Sequence, residues 1–134
     1  MLDEFEEFHM GPNSVSHGRP RVSLNVHGMF MLNSSTVNLL GNPEAVLLYY
    51  DRRNQRIGIR PGDADLSNSF PLNQNSSKYI YRICGNTFCR YHRIRTDEPV
   101  VFKEIEITPA KMLILDLTKA SRKVPAKSAV QGNV

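Results

Sequence analysis

The sequence has no tryptophan and only two cysteines, Cys84 and Cys89, in 134 residues. Two thiols are too few to staple a small secreted scaffold, and reduced, buried, structural thiols in a cytoplasmic protein are the expectation. No apolar run approaches the roughly 18 residues needed to span a bilayer, so no membrane partner is expected. The opening residues, Met1-Leu2-Asp3-Glu4-Phe5-Glu6-Glu7, are acidic and lack the basic-then-apolar order of a secretion signal. Catalytic words are missing as well. There is no Gly-rich phosphate loop, no His-Glu-x-x-His and no nucleophile elbow. Asp51, Asp63, Asp65 and the four histidines show no spacing that joins them into a triad. The expectation is a protein that is not an enzyme and needs no cofactor.

What is present is a core's worth of apolar residues, 40% of the chain, and an unevenly placed net charge of +4. The first 18 residues carry Asp3, Glu4, Glu6 and Glu7 and no Lys or Arg. Residues 118–134 carry Lys119, Arg122, Lys123 and Lys127 and no acid. The two ends cancel, so the middle of the chain is itself basic. A mildly basic body permits contact with nucleic acid without requiring it.

Residues 1–20, with Gly11-Pro12 and Gly18-Arg19-Pro20, read as a flexible arm. From Arg21 the pattern becomes that of a β-rich domain. Val22, Leu24 and Val26 alternate with polar residues, His27-Gly28 interrupts, and Met29-Phe30-Met31-Leu32 resumes, which predicts a tight reversal between two strands. Asn33 stands where a helix N-cap belongs, and Gly41 with Pro43 ends the short helix that follows. Ala45–Tyr50 and Arg56–Arg60 read as strands around a turn. Residues 62–77 are rich in Asn, Ser, Asp and Gly and read as a linker with an apolar staple at Phe70 and Leu72. Beyond it, Tyr79–Ile83 is a strand, Gly85-Asn86 a turn, and Thr87-Phe88-Cys89 another strand. Val100–Ile107 and Met112–Leu117 follow, and residues 118–134 read as a basic flexible tail.

The order strand, Gly, strand, short helix, Gly, strand, turn, strand over residues 21–61 resembles the AbrB/MazE/SpoVT family of swapped-hairpin proteins. The resemblance rests on Val22-Ser23-Leu24 through Gly28, on Leu39-Leu40-Gly41, and on Asp51 through Ile57-Gly58-Ile59-Arg60-Pro61. It implies a mostly β fold, a small swapped-hairpin β-barrel with one or two short helices, and a bacterial DNA-binding or transcription-regulating role. Two departures weaken the DNA half of that implication. The first turn, Val26-His27-Gly28-Met29, lacks the family's basic residue, and the helix Ser34–Leu40 carries no Lys or Arg. The rival expectation is therefore a protein-interaction module, antitoxin-like or with a role in assembly, that keeps the fold without binding DNA.

The second half echoes the plan of the first. Gly28 and Gly85 lie 57 positions apart and Pro43 and Pro99 lie 56 apart. Pro43 to Ile57 and Pro99 to Leu113 both span 14 positions. This predicts two pseudo-repeats, 21–61 and 78–117, interleaved in one domain over 21–117, as a monomeric pseudo-dimer or a homodimer. Val22, Leu24, Val46, Leu48, Ile57 and Ile59 are then expected to share one core with Ile83, Phe102, Ile105, Leu113 and Leu115.

Three groups of arginines are candidates for duplex DNA, because a planar guanidinium can pair two phosphate oxygens at once. Arg19 and Arg21 lie on the arm that leads into the domain, where the resemblance places DNA-touching arginines. Arg52 and Arg53, with Arg56 and Arg60, flank one hairpin turn. Arg90, Arg93 and Arg95 lie in the densest basic stretch, with Tyr91 and His92 inside it. Cys84, Cys89 and His92 invite a zinc reading, but a closed zinc site needs four ligands and this spacing is not a standard finger or ribbon. No metal is expected.

Overall fold

The computed structural model describes residues 19–74 and 80–122. The first hairpin joins β1 (Val22–Leu24) to β2 (Met29–Asn33), with Val22 opposite Leu32 and Leu24 opposite Phe30. All four of these side chains are buried, so one face of the hairpin is apolar. The strand stops at Leu24 because Asn25 bends the chain. Its side-chain oxygen accepts from the backbone N–H of His27 and of Met29, and Gly28 takes a φ of +80°. Val26, expected in the strand, is therefore left exposed in the turn.

Asn33 caps α1 (Ser34–Leu39) as its sequence position predicts, accepting from the N–H of Thr36 at 3.1 Å. The same oxygen accepts from the N–H of Arg21, and the Asn33 amide donates to the carbonyl of Arg19. One buried side chain thus fixes both the helix start and the approach of the chain to β1. The helix ends with Gly41 at φ +87°. Gly41 N–H donates to Asn38 and Asn42 N–H to Val37, the paired bonds of a Schellman ending.

β3 (Ala45–Asp51) and β4 (Arg56–Gly62) form the second hairpin. The 62–77 stretch does more than link. β5 (Phe70–Pro71) pairs with β3 and β6 (Asn73–Gln74) pairs with β7 (Ile80–Cys84), so it is stitched to both sheets. The remaining elements are α2 (Asn86–Tyr91), β8 (Val100–Phe102), β9 (Ile105–Ile107), β10 (Leu113–Asp116) and β11 (Ser121–Arg122). β11 lies within the 118–134 stretch expected to be a flexible tail and pairs with β8; residues 123–134 of that tail, and 1–18 of the expected N-terminal arm, lie outside the described residues.

The strands make two antiparallel sheets, β11-β8-β1-β2-β7-β6 and β5-β3-β4-β10-β9. The halves of the chain interleave in both. β1 and β2 lie between β8 and β7, and β4 pairs with β10. One buried cluster holds Val22, Leu24, Val46, Ile57 and Ile59 together with Ile83, Phe102, Leu113 and Leu115, and Leu48 and Ile105 pack against it.

Two expectations need correction. Among the described residues the sheets do not close into a barrel. Closure requires an unbroken ladder all the way round. Here the chain crosses from one sheet to the other at Leu72, between β5 and β6, and each sheet ends in strands of two or three residues. The second correction concerns residues 85–89, expected as the turn Gly85-Asn86 followed by a strand Thr87-Phe88-Cys89: Gly85 instead precedes α2, and the other four residues lie within it. β2 already has β1 on one side and β7 on the other, so no sheet edge is left for a strand there. A run as short as Thr87-Phe88-Cys89 suits a helix equally well, and Phe88 and Cys89 are its buried residues.

Ile57 faces Leu115 and Ile59 faces Leu113, so a shift of 56 positions maps the pairing of β4 with β10 onto itself. The first turn has no such counterpart, since the residues 57 positions after β2 begin α2. Gly28 and Gly85 prove to be neighbours: Gly85 N–H donates to the carbonyl of Gly28 at 3.0 Å.

Candidate nucleic-acid interface

The site forms where the first turn, α2 and the β3–β4 turn converge. A groove of about 430 Å³ runs between Val26, His27 and Gly28 on one side and α2 with the residues after it on the other. Arg90, Arg93 and Ile94 line that second wall, and among the described residues no Asp or Glu lines the groove. Neither Arg90 nor Arg93 makes an ion pair among the described residues.

Local backbone chemistry places these arginines. α2 ends as α1 does, with Arg93 N–H donating to Arg90 and Ile94 N–H to Cys89. In this ending the residue at the left-handed position is usually glycine, and α1 uses Gly41. α2 uses Arg93, at φ +57°. A side chain there costs about 1–2 kcal/mol relative to glycine. The turn leaves Ile94 buried and Arg93 exposed at the groove.

His92, the residue before Arg93, is half-buried among rings. Its ring centroid lies 5.0 Å from Tyr50, 4.9 Å from Phe88 and 4.9 Å from Tyr91. Arg52 approaches its Nδ1 at 3.4 Å. Arginine can only donate, so in this contact Nδ1 is the acceptor. Burial first, and then the Arg52 charge, hold its pKa below the ordinary histidine value.

The sequence-predicted arginines are thus divided. Arg52, Arg90 and Arg93 gather around α2. Arg19 and Arg21 sit by the start of α1, at the end of β1 opposite its turn, so they do not join that cluster. Arg53 faces a separate shallow depression shared with Arg56, Asp116 and Thr118. Arg60 is exposed on the outer face of β4. Arg95 is engaged by Asp97 through two bonds, of 3.1 and 2.8 Å, which also raise its pKa.

Arg56 is engaged in the same way. Asp51 accepts from Asn54 N–H and Nδ2 and from Arg56 Nη2 at 2.8 Å. Hydrogen bonds from Asn54 and then Arg56 hold the Asp51 carboxyl down to about 2. A carboxylate with a lowered folded-state pKa stabilises above its ordinary value of 3.8, and that contribution is lost as pH falls through about 2. Acid titration followed by NMR should therefore give an Asp51 midpoint near 2, with the Asn54 amide shifting in the same window. A midpoint at the ordinary aspartate value would remove the clamp on this turn.

The cysteines are both free. Cys89 is buried, and burial pushes its thiol up to about 11, so it is protonated and inert at neutral pH. Cys84, expected to be buried, is exposed, because alternation along β7 turns Ile83 inward and Cys84 outward. Among the described residues no group of three or more His, Cys, Asp or Glu is placed to hold a metal ion.

Sequence reasoning named Arg52, Arg90 and Arg93 but not their setting. His27 was not among the site residues, and nothing local in the sequence marks it, since its approach to α2 depends on the Gly28–Gly85 contact. Among the described residues no helix is long and apolar enough to cross a membrane. Fold and site together define a mostly β protein of two antiparallel sheets, each built from both halves of the chain, with a groove lined in part by Arg90 and Arg93. Comparison with family models, with curated proteins and with solved structures returned no match for the chain.

Proposed function

We propose that this is an AbrB-like DNA-binding or transcription-regulating protein with no enzymatic activity, which contacts duplex DNA through Arg52, Arg90 and Arg93. The observation that carries the reading is a groove in which, among the described residues, no acid lines the walls and Arg90 and Arg93 make no ion pair, with Arg52 meeting His92 close by. Free guanidinium forks beside a concave surface suit phosphate oxygens. The order of elements over β1 to β4 supports the AbrB-like part of the reading. The arginine at the left-handed ending of α2 supports the site, since glycine there would relieve the backbone and remove the charge.

Fluorescence anisotropy with a labelled duplex tests this. Affinity should fall steeply with salt, because each phosphate contact releases counterions. Replacing Arg52, Arg90 and Arg93 together by Ala should weaken binding and lower the slope of log K against log salt by about 2–3. Arg95→Ala should change little, since its charge is already matched by Asp97. Arg93→Gly should bind more weakly while unfolding at a higher temperature. Absence of binding at low salt and micromolar protein would overturn the proposal.

A second reading, a protein-interaction module, draws on the outer face of the second sheet. Tyr49, Gly58 and Ile114 lie in one row across β3, β4 and β10, and the Met112 sulfur lies 2.8 Å from where a Gly58 Cβ would stand. Leu47 lies two residues before Tyr49 on the same face. Such a patch suits an apolar partner surface.

A further inference from the structure

We propose that the DNA element engaged beside the groove is an unpaired nucleotide whose base stacks on Tyr91. This rests on the DNA-binding reading above and names its substrate more closely. Tyr91 is 78% exposed, the most exposed large apolar side chain among the described residues. It is not loosely placed, however. Phe30 lies in the core, and its ring centroid is 6.4 Å from that of Phe88. Phe88 is 4.9 Å from His92, and His92 is 4.9 Å from Tyr91 with the planes at 89°. Tyr50 braces the same chain from β3, 6.4 Å from Phe88 and 5.0 Å from His92. A continuous line of rings therefore runs from the core to solvent and ends on an aromatic surface left uncovered.

A ring held in this way loses little conformational freedom when a second flat group is laid on it. The charges around it select what that group is. Arg90 and Arg93 line the groove, and Arg52 meets Nδ1 of His92, the ring packed against Tyr91. An apolar peptide side chain would use the ring and leave three guanidinium groups unmatched. A nucleotide supplies a flat base and an anion one sugar away, which matches both. Away from its ends a duplex covers each base face with a neighbour, so there only an unpaired or splayed nucleotide can offer one.

Three labelled DNAs distinguish the outcomes: a blunt duplex, the same duplex with a short thymidine overhang, and the same duplex with that overhang abasic. The overhang should tighten binding about fivefold or more, the range expected for one base stacked on an aromatic ring. The abasic overhang, which keeps the phosphates, should lose most of that gain. Tyr91→Ala should abolish the gain and leave blunt-duplex affinity unchanged, and Tyr91→Phe should retain it. Because Tyr91 is exposed, neither variant should unfold, and a matching melting temperature checks this. Equal affinity for all three DNAs, or a gain that survives Tyr91→Ala, overturns the stacking proposal and leaves DNA binding standing. Failure of all three to bind overturns both.

Discussion

Residues 1–62 expressed alone should not give a folded monomer. That fragment keeps β1, β2, α1, β3 and β4 but loses the partner of β1 in β8, of β2 in β7 and of β4 in β10. It also loses Ile83, Phe102, Leu113 and Leu115, all fully buried in the cluster that covers Val22, Leu24, Ile57 and Ile59. Two separate hairpins and a two-turn helix remain. Isolated hairpins are at best marginally stable in water, and a chain of about 60 residues buries too small a share of its surface to compensate. The fragment should show a coil-like circular dichroism spectrum without a cooperative melt. The other expected outcome is a dimer by sedimentation equilibrium, in which a second copy occupies the empty strand positions. A fragment that stays monomeric and melts cooperatively would show that the halves do not depend on one another.

Gly28→Ala should cost about 2–5 kcal/mol, a large part of the stability of a domain this size. Two terms add. At φ +80° a side chain strains the backbone by about 1–2 kcal/mol. The added Cβ would also stand 2.6 Å from the Asn86 Cα, and that neighbour is backbone, with no rotamer to move aside. Overpacking of this kind costs about 1–3 kcal/mol. Gly41→Ala provides the comparison. Its φ of +87° carries the same backbone strain, but its nearest neighbour is the Lys111 ammonium at 3.2 Å, the far end of a flexible chain. The melting temperature should therefore fall by about 10 °C or more for Gly28→Ala and by clearly less for Gly41→Ala. Equal losses would mean that the approach of the first turn to α2 is not tight. Because Gly28 and Asn86 both line the groove, the Gly28 variant should also bind DNA more weakly at temperatures where it is still folded.

What each level of structure determined can be followed residue by residue. The first hairpin, the Asn33 cap, the Gly41 stop and the β3–β4 hairpin were all legible in the sequence. Each depends on residues within a few positions of one another: an Asx turn at Asn25, a side-chain oxygen three residues before the N–H it receives, a glycine free to take positive φ. The engagement of Arg56 by Asp51 and of Arg95 by Asp97 is also local, five and two positions apart. The state of 86–91 was not legible, because Thr87-Phe88-Cys89 suits either element and the choice was made by β1 and β7 filling both sides of β2. Barrel closure was likewise settled at a distance, by the chain changing sheets at Leu72. For the site, sequence supplied the arginines, while tertiary structure sorted them. It set Arg90 and Arg93 against His27, Arg52 against His92, and Arg19 and Arg21 at the other end of β1. Local hydrogen bonds are written in short spacings. Which strand edges are free, and which turns meet, is decided only when segments some 60 positions apart pack into one core.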